Sequence, residues 1–230
     1  MYKRIIIYNE MDDLLHELKP VGSFRTITKG GNVLFQGEIP RHVMMVRSGI
    51  IRAYTITSSG EERTVSLHGD GDLLPMTWVL GVTSNSLFYY EAVTDCRVFQ
   101  VSRKAFNNYL DAHPDRTKAM LNHTAVIYSS LLLRITGLEQ SRAVEKIGFT
   151  LYYLLFTRGK EIKPGIFKID VRLSHSLFGS LVGLTRESTA KNMKLLRDKG
   201  IIDYASFTYT VDKAKLEAFL GEDGFRDLAI

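Results

Sequence analysis

The sequence predicts an α+β fold: an antiparallel β domain, then a long helix, then a small helical domain that carries a β-hairpin. Three observations indicate this order. Short apolar segments separated by glycine-containing turns fill residues 22–101. A stretch without proline then runs from residue 115 to about residue 140. Finally, residues 173–196 have the pattern of two short helices joined by a tight turn.

The β domain is predicted from the spacing of its strands. Each candidate strand is short and is separated from the next by a turn that mostly contains glycine. Short strands at regular spacing are typical of an antiparallel barrel or sandwich. The predicted strands cover residues 24–28, 32–35, 43–46, 49–56, 63–67, 88–93 and 96–101.

The long helix is predicted to form a seam with a second copy of the chain. Its side chains recur in alternating steps of three and four residues, the heptad pattern of a two-stranded coiled coil. The alternative is a helix packed on its own β domain, a role that suits the neighbouring Leu132 and Leu133. The pattern favours a parallel homodimer with a hinge at residues 137–142. The predicted seam residues are Leu121, Thr124, Tyr128, Leu131, Ile135 and Leu138.

The last part of the chain reads as a winged helix-turn-helix. A helix over residues 143–156 and a turn-rich loop over 157–165 lead into a strand at 167–171. The two short helices follow, and residues 200–204 and 207–211 then form a hairpin, the wing. Residues 212–220 end the pattern as a short helix.

The two short helices carry recognisable end signals. Ser174 and Thr185 are each suited to cap a helix N-terminus, and Gly183 suits a helix end that needs a positive φ. Gly179, in the middle of the first helix, costs about 1 kcal/mol against Ala. We expect such a glycine where the second helix crosses closely. Thr189, Met193 and Leu196 fall at i, i+4 and i+7 of that second helix and are expected to face inward.

The opposite face of the second helix is suited to DNA. It carries Arg186, Glu187, Lys191 and Lys194, around the small Ala190. Arginine pairs with guanine O6 and N7, and glutamate accepts from cytosine N4. The alternative is an ordinary helical hairpin with a solvated charged face. The pattern favours a recognition helix that enters a major groove.

Charge and composition agree with this interpretation. The 230 residues are 45% hydrophobic and 24% charged, which is typical of a globular protein. Residues 142–200 hold 12 Lys and Arg against 5 Asp and Glu, a local charge of +7, whereas the rest of the chain sums to −2. A basic block that coincides with a helix-turn-helix is expected of a protein that binds the phosphate backbone.

The sequence also excludes several kinds of protein. The single cysteine, Cys96, allows neither an intrachain disulfide nor a cysteine-based metal cage. No apolar run approaches the ~18–20 residues of a membrane span, and no secretory signal is recognisable. No phosphate-binding glycine loop, metal-ligand cluster or nucleophile motif is present, so we expect no catalytic residue and no metal site. We therefore predict a cytoplasmic protein that is not an enzyme and does not bind a membrane.

The whole pattern resembles the cyclic-AMP receptor protein / fumarate–nitrate regulator (CRP/FNR) family of bacterial transcription factors. The best match is the run from Gly183 to Ser188, similar to the family's G-x-[ST]-R-E-[ST] entry to the recognition helix. Glycine corners at residues 36–38, 48–49 and 71–72 match its β-roll. The resemblance implies an N-terminal antiparallel β-roll (a jelly roll of the cyclic-nucleotide-binding kind) over residues 1–112. It further implies a dimerisation helix and hinge over 113–141 and a winged-helix domain over 142–230.

Function and DNA contacts follow from the same resemblance. It implies a homodimer that binds palindromic double-stranded DNA, is an activator in most members and contacts RNA polymerase. Arg186, Glu187 and Lys191 match the base-reading positions, but Lys191 departs from the usual Arg and lacks its planar fork. The predicted DNA-binding residues are Ser174, His175, Thr185, Arg186, Glu187, Ser188, Lys191 and Lys194.

The effector site departs further from the family. Pro75-Met76 stand where cyclic-nucleotide binders have Gly-Glu, and Ser86-Leu87 stand where they have Arg-Ser. A cyclic phosphate in an apolar cavity needs a charge-assisted donor, so we expect no cyclic-nucleotide binding. A single cysteine excludes the iron–sulfur cluster of the oxygen-sensing branch.

Three alternatives for the roll stay open. It holds a small, largely apolar effector, or it is filled by its own side chains, or it is a haem sensor with His68 as a ligand, which the residues favour least. No cofactor is assigned. The candidate effector pocket consists of Met76, Trp78, Leu87, Phe88, Tyr89 and Tyr128.

Overall fold

The computed structural model describes residues 13–221, with the side chains at positions 123 and 126 excepted. The outer ends of the predicted first and last domains, residues 1–12 and 222–230, lie outside the described residues. The described chain divides into two compact units, and the boundary falls between Asn122 and His123.

The first unit contains the predicted β-roll. Its eight strands form two four-stranded antiparallel sheets, with the orders β1-β8-β3-β6 and β2-β7-β4-β5. The non-sequential order means that the chain crosses repeatedly between the two sheets, as in a jelly roll. The strands are β1 (Ser23–Ile27), β2 (Asn32–Leu34), β3 (Val43–Ser48), β4 (Ile51–Ile56), β5 (Glu62–His68), β6 (Leu73–Leu74), β7 (Tyr89–Ala92) and β8 (Cys96–Val101).

Strand β3 has an apolar core on each of its faces. Met44 and Val46 point between the two sheets, where they meet Ile51 and Tyr90 of the opposite sheet. Because side chains alternate along a strand, the neighbouring Val43 and Met45 point to the outer face. A second core covers that outer face. We call the first the inner core and the second the outer core. The outer core contains Leu14, Leu18, Val43, Met45, Leu73, Trp78, Val79, Phe99, Val101, Phe106 and Tyr109.

The described chain also contains α-helices. Helix α1 covers residues 13–18 and packs in the outer core. The long helix, α4 (Pro114–Leu138), begins at a proline. Proline suits a first helical position because an N–H at that position has no intrahelical partner. The other helices are α2 (Met76–Val79), α3 (Arg103–Ala112), α5 (Ala143–Arg158), α6 (His175–Val182), α7 (Arg186–Asp198) and α8 (Lys213–Leu220). None of these described helices has both the length and the apolar character of a membrane span.

The second unit is built around α5 and a third sheet. Residues 147–155 of α5 are all buried, and the helix packs against α6, α7 and α8. The sheet has the antiparallel order β11-β12-β10-β9. Its strands are β9 (Gly159–Lys163), β10 (Ile166–Ile169), β11 (Ile202–Ala205) and β12 (Thr208–Asp212).

One strand of this sheet was predicted as a loop. Strand β9 is an edge strand whose residues 160–163 are all exposed, so it lacks the apolar alternation that reveals a strand. It pairs with β10 across the turn at Pro164 and Gly165, and Gly165 has a φ of +74°. The predicted hairpin, in contrast, is present as β11 and β12.

Candidate nucleic-acid interface and the interior of the roll

The helix-turn-helix has the predicted ends. The Ser174 hydroxyl accepts from the N–H of Leu177 at 3.1 Å, and the Thr185 hydroxyl accepts from the N–H of Ser188 at 3.2 Å. Helix α6 ends at Gly183, whose φ of +72° is left-handed. Both capping hydroxyls act as acceptors, so each still has its O–H to donate to a phosphate.

The inward face of the motif is tightly packed. Thr189, Met193 and Leu196 of α7 are fully buried against α5 and α6. A Cβ at Gly179 would lie 2.6 Å from the Leu184 carbonyl oxygen and 3.0 Å from the Thr189 hydroxyl. The glycine therefore permits the close crossing that its position in the sequence predicted.

The outward face of α7 is charged and accessible. Arg186, Glu187, Lys191 and Lys194 are all exposed, and within residues 13–221 none of them forms an ion pair. Four charged side chains thus project from a helix whose other face is held rigidly. They can donate to, or accept from, base edges and phosphates without first breaking a contact within the chain.

His175 lies on the same side as the start of α7. Partial burial, and then the positive charge of Arg186, lower its pKa below the usual value. The imidazole is therefore neutral at pH 7, and it can donate one hydrogen bond to a phosphate but adds no charge. Its ring centre lies 5.7 Å from that of Tyr204 in an edge-to-face arrangement.

Tyr204 joins the wing to the motif, a role that its sequence position did not reveal. The Arg197 guanidinium lies 5.0 Å from the Tyr204 ring centre and pairs with Asp203 at 3.0 Å. The Tyr209 ring follows at 5.5 Å. This cluster connects the first turn of α6, the end of α7 and strand β11.

Arg134 is a second residue that sequence reasoning missed. It is only 7% exposed, and its Nη2 donates to the carbonyl oxygen of Leu181, in the last turn of α6, at 2.8 Å. Burial lowers the pKa of Arg134, while the nearby Tyr153 acts in the opposite direction. A cation near a helix C-terminus is favourable, so this contact holds α6 on α4.

The predicted seam of α4 is largely uncovered in the single chain. Leu121, Tyr128 and Ile135 are more than half exposed, and Leu138 is also exposed, whereas Thr124 and Leu131 are half-buried. Large apolar side chains in such a row are expected where a partner covers them. Of the two neighbouring leucines, Leu133 is buried within the chain and Leu132 is exposed.

Three residues of the predicted effector pocket are divided between the two cores of the roll. Trp78 is part of the outer core and Met76 packs against it, whereas Phe88 packs against the inner core. These two cores lie on opposite faces of the same sheet, so the prediction that the three residues line one site was wrong. The physical reason is the unforeseen helix α2, which carries Met76 and Trp78 over the outer face.

The other three predicted pocket residues, Tyr89, Leu87 and Tyr128, belong to neither of these two cores. Tyr89 of β7 pairs with Tyr54 of β4, and their ring centres lie 5.2 Å apart in a stacked arrangement. Both rings are on the face of this sheet that points away from the inner core. Tyr90, the neighbour of Tyr89, is the residue that enters the inner core, and burial raises its pKa to about 12. Leu87 is 42% exposed. Tyr128 lies in the second unit and is exposed on α4.

Polar groups near the inner core are already engaged. The Ser86 hydroxyl donates to the Phe88 carbonyl oxygen at 2.8 Å, and Ser86 itself is buried. The Ser66 hydroxyl lies 2.8 Å from His68 Nε2, the nitrogen that a haem would need. The His68 ring is 5.8 Å from that of Tyr90. Among the described residues no group of three His, Cys, Asp or Glu could hold a metal ion.

Comparisons with known proteins identify both halves of this architecture. Residues 24–113 match the family "Cyclic nucleotide-binding domain", and residues 145–219 match the family "Crp-like helix-turn-helix domain". The global nitrogen regulator of Synechococcus elongatus is 25% identical over 178 residues, which are 76% of this chain and 78% of that protein. The fumarate nitrate reduction regulatory protein of Klebsiella oxytoca is 22% identical over 215 residues, 92% of this chain and 81% of that protein.

A solved structure has the same fold. FixK2 from Bradyrhizobium japonicum superposes with a TM-score of 0.72 at 19% identity, over 86% of this chain and 96% of FixK2. The relatives named above are transcription regulators, which belong to a family without enzymatic activity.

Proposed function

Because the chain belongs to the CRP/FNR family of transcription regulators, we propose that it is a homodimer that reads a palindromic DNA operator with helix α7. The observation behind this proposal is the exposed charged face of α7. The opposite face of the helix is buried in the domain, so only the charged face can meet DNA. Arg186 donates to guanine O6 and N7, and Glu187 accepts from cytosine N4. Lys191, a point charge without the fork of arginine, reads its base less strictly or contacts only phosphate.

The remaining predicted residues hold the protein on the phosphate backbone. Ser174 and Thr185 donate through the hydroxyl protons that capping leaves available, and Ser188 and neutral His175 donate beside them. Lys194, two turns beyond Glu187 on the same exposed face, adds a charge contact. Such contacts fix register and supply affinity, whereas Arg186 and Glu187 supply sequence discrimination.

The exposed seam of α4 supports the homodimer. A second copy would cover the apolar row from Leu121 to Leu138, and the two-fold axis would repeat the recognition helix in the next major groove. The operator is then a palindrome with half-sites about one turn, roughly 34–36 Å, apart. A protein that binds chromosomal DNA in this way acts in the cytoplasm. As in most of its family, we expect activation through RNA polymerase.

The β-roll does not bind a cyclic nucleotide. Ser86 and Leu87 occupy the positions of the family's phosphate anchor. The Ser86 hydroxyl donates to the Phe88 carbonyl oxygen, and the Leu87 side chain has no hydrogen-bond donor. A small apolar effector and a roll filled by its own side chains remain the two candidates. The polar residues near the interior are Tyr90 and the hydrogen-bonded pair of Ser66 and His68. A haem-based sensor is the weakest candidate because Ser66 already holds His68 Nε2.

A gel-shift experiment on genomic fragments, followed by hydroxyl-radical footprinting, tests the proposal. We expect retained fragments that lose binding as salt rises and two protected regions one helical turn apart. A chain that retains no fragment at low salt would instead be a sensor or interaction module without DNA binding.

A further inference from the structure

The tip of the wing carries an exposed phenylalanine on an unfavourable backbone. Ala205 pairs with Thr208, so only Ser206 and Phe207 join β11 to β12. Their φ angles are +49° and +65°, as in a type I′ turn, which favours Asn, Asp and Gly. Phe207 is nevertheless 58% exposed. A bulky side chain at positive φ is a true outlier, and such strain is retained mainly at functional sites.

This turn is tied to the start of the helix-turn-helix. The Phe207 carbonyl oxygen accepts from the N–H of Leu173 at 3.0 Å. The Leu173 carbonyl oxygen in turn accepts from the Tyr209 hydroxyl at 3.0 Å. Leu173 is fully buried and directly precedes Ser174, the cap of α6. The wing tip therefore lies beside the end of α6 that we assign to phosphate contact.

Other contacts place the wing on the same side as the recognition helix. Tyr204 of β11 touches His175 in the first turn of α6. The charge of Arg186, at the start of α7, is close enough to His175 to lower its pKa. Arg172, exposed just before Leu173, adds positive charge at this edge. The aromatic tip is thus continuous with a basic surface that is complementary to DNA.

We propose that Phe207 is an apolar DNA contact whose ring packs against deoxyribose faces in the minor groove beside each half-site. Apolar side chains are used in this way by proteins that bind the minor groove. The inference rests on the proposed DNA-binding function and extends it from the major groove to the flanks. An uncharged ring releases no counterions, so it adds affinity without adding salt dependence. Flanks that deform easily, such as pyrimidine–purine steps, are favoured.

Two glycine variants distinguish the contribution of the Phe207 ring to DNA affinity from that of the turn conformation. Glycine adopts positive φ readily, so Phe207→Gly and Ser206→Gly both relieve the backbone, but only the first removes the ring. Each variant and the unmodified chain are titrated, by fluorescence anisotropy, against the operator with long flanks and against a duplex cut at the half-sites. Thermal melting checks the fold, and we expect Phe207→Gly to melt at or above the unmodified chain.

On the long duplex we expect Phe207→Gly to bind about tenfold more weakly, the loss expected when a phenylalanine is no longer buried. Ser206→Gly should bind as the unmodified chain does. The slope of log affinity against log salt should be unchanged in Phe207→Gly, and on the cut duplex all three proteins should bind equally.

Full affinity of Phe207→Gly on the long duplex would overturn the proposal, as would an equal loss in Ser206→Gly, which would implicate the shape of the turn. If the unmodified chain retains no DNA at all, the proposed function fails, and this inference fails with it. That outcome is distinguishable because it is visible before any variant is made.

Discussion

The helix-turn-helix and the interior of the β-roll differ in how far local sequence determines them. In the helix-turn-helix, the caps Ser174 and Thr185, the close crossing at Gly179 and the buried Thr189 were all predicted from neighbouring residues. In the roll, Trp78 and Phe88 are only ten positions apart in sequence, yet Trp78 belongs to the outer core and Phe88 packs against the inner core, on opposite faces of a sheet. Helical periodicity specifies a face directly, whereas a roll places each residue through pairings that are distant in sequence.

Local sequence determines the α4 seam only in part. Its heptad pattern comes from neighbouring residues, but the surface that would cover it belongs to a second chain. Leu131→Asp would bury an unpaired carboxylate in that interface, at a cost of several kcal/mol. We expect sedimentation to show a monomer, and operator affinity to fall with it.

Asn122→Asp is the matched control, because it adds the same carboxylate to an exposed position of α4 outside the seam. It should leave the dimer intact. A Leu131→Asp protein that stays dimeric at micromolar concentration would show that α4 does not carry the interface.

Gly179 tests how strictly the helix-turn-helix is packed. Gly179→Ala gains about 1 kcal/mol of helix propensity. The new methyl group would, however, lie 2.6 Å from the Leu184 carbonyl oxygen, and overpacking of this kind costs about 1–3 kcal/mol. Because the nearest atom belongs to the backbone and cannot rotate away, we expect a cost at the upper end of this range and a net loss of about 2 kcal/mol in the free energy of unfolding, measured by urea denaturation.

Ser176→Ala is the comparison, since position 176 is exposed on the same helix. Its effect should stay within about 0.5 kcal/mol. If Gly179→Ala is as stable as the unmodified chain, the crossing of α6 and α7 is looser than the contacts indicate.

The smallest expected effect concerns the roll. Neither cyclic AMP nor cyclic GMP should raise Tm at millimolar concentration, because Ser86 and Leu87 supply no charged donor for the phosphate. Specific binding at a hundredfold excess over Kd would add about 2.7 kcal/mol and would be visible. A clear shift with either nucleotide would contradict our interpretation of this region.

Particular residues show where prediction from sequence ends. The order of the elements and the exposed face of α7 follow from periodicity and capping, which act within a few residues. Nothing in the sequence around Arg134 indicated its burial, which arises because the end of α6 reaches it. Tyr89 and Tyr90 are neighbours, but only the sheet register decides which one faces inward. The strained Phe207 turn has no sequence signal, since its residues are disfavoured there.

The central claim is that α7 reads DNA through Glu187, and in vitro selection from random duplex DNA tests it most directly. The unmodified chain should select a palindrome with a required G·C pair in each half-site, whereas Glu187→Ala should keep the palindrome and its spacing but lose selection at that pair. The control, Lys194→Ala, should select the unmodified motif with lower affinity and a flatter salt slope. Recovery of the same motif by the unmodified chain and by Glu187→Ala would contradict the account.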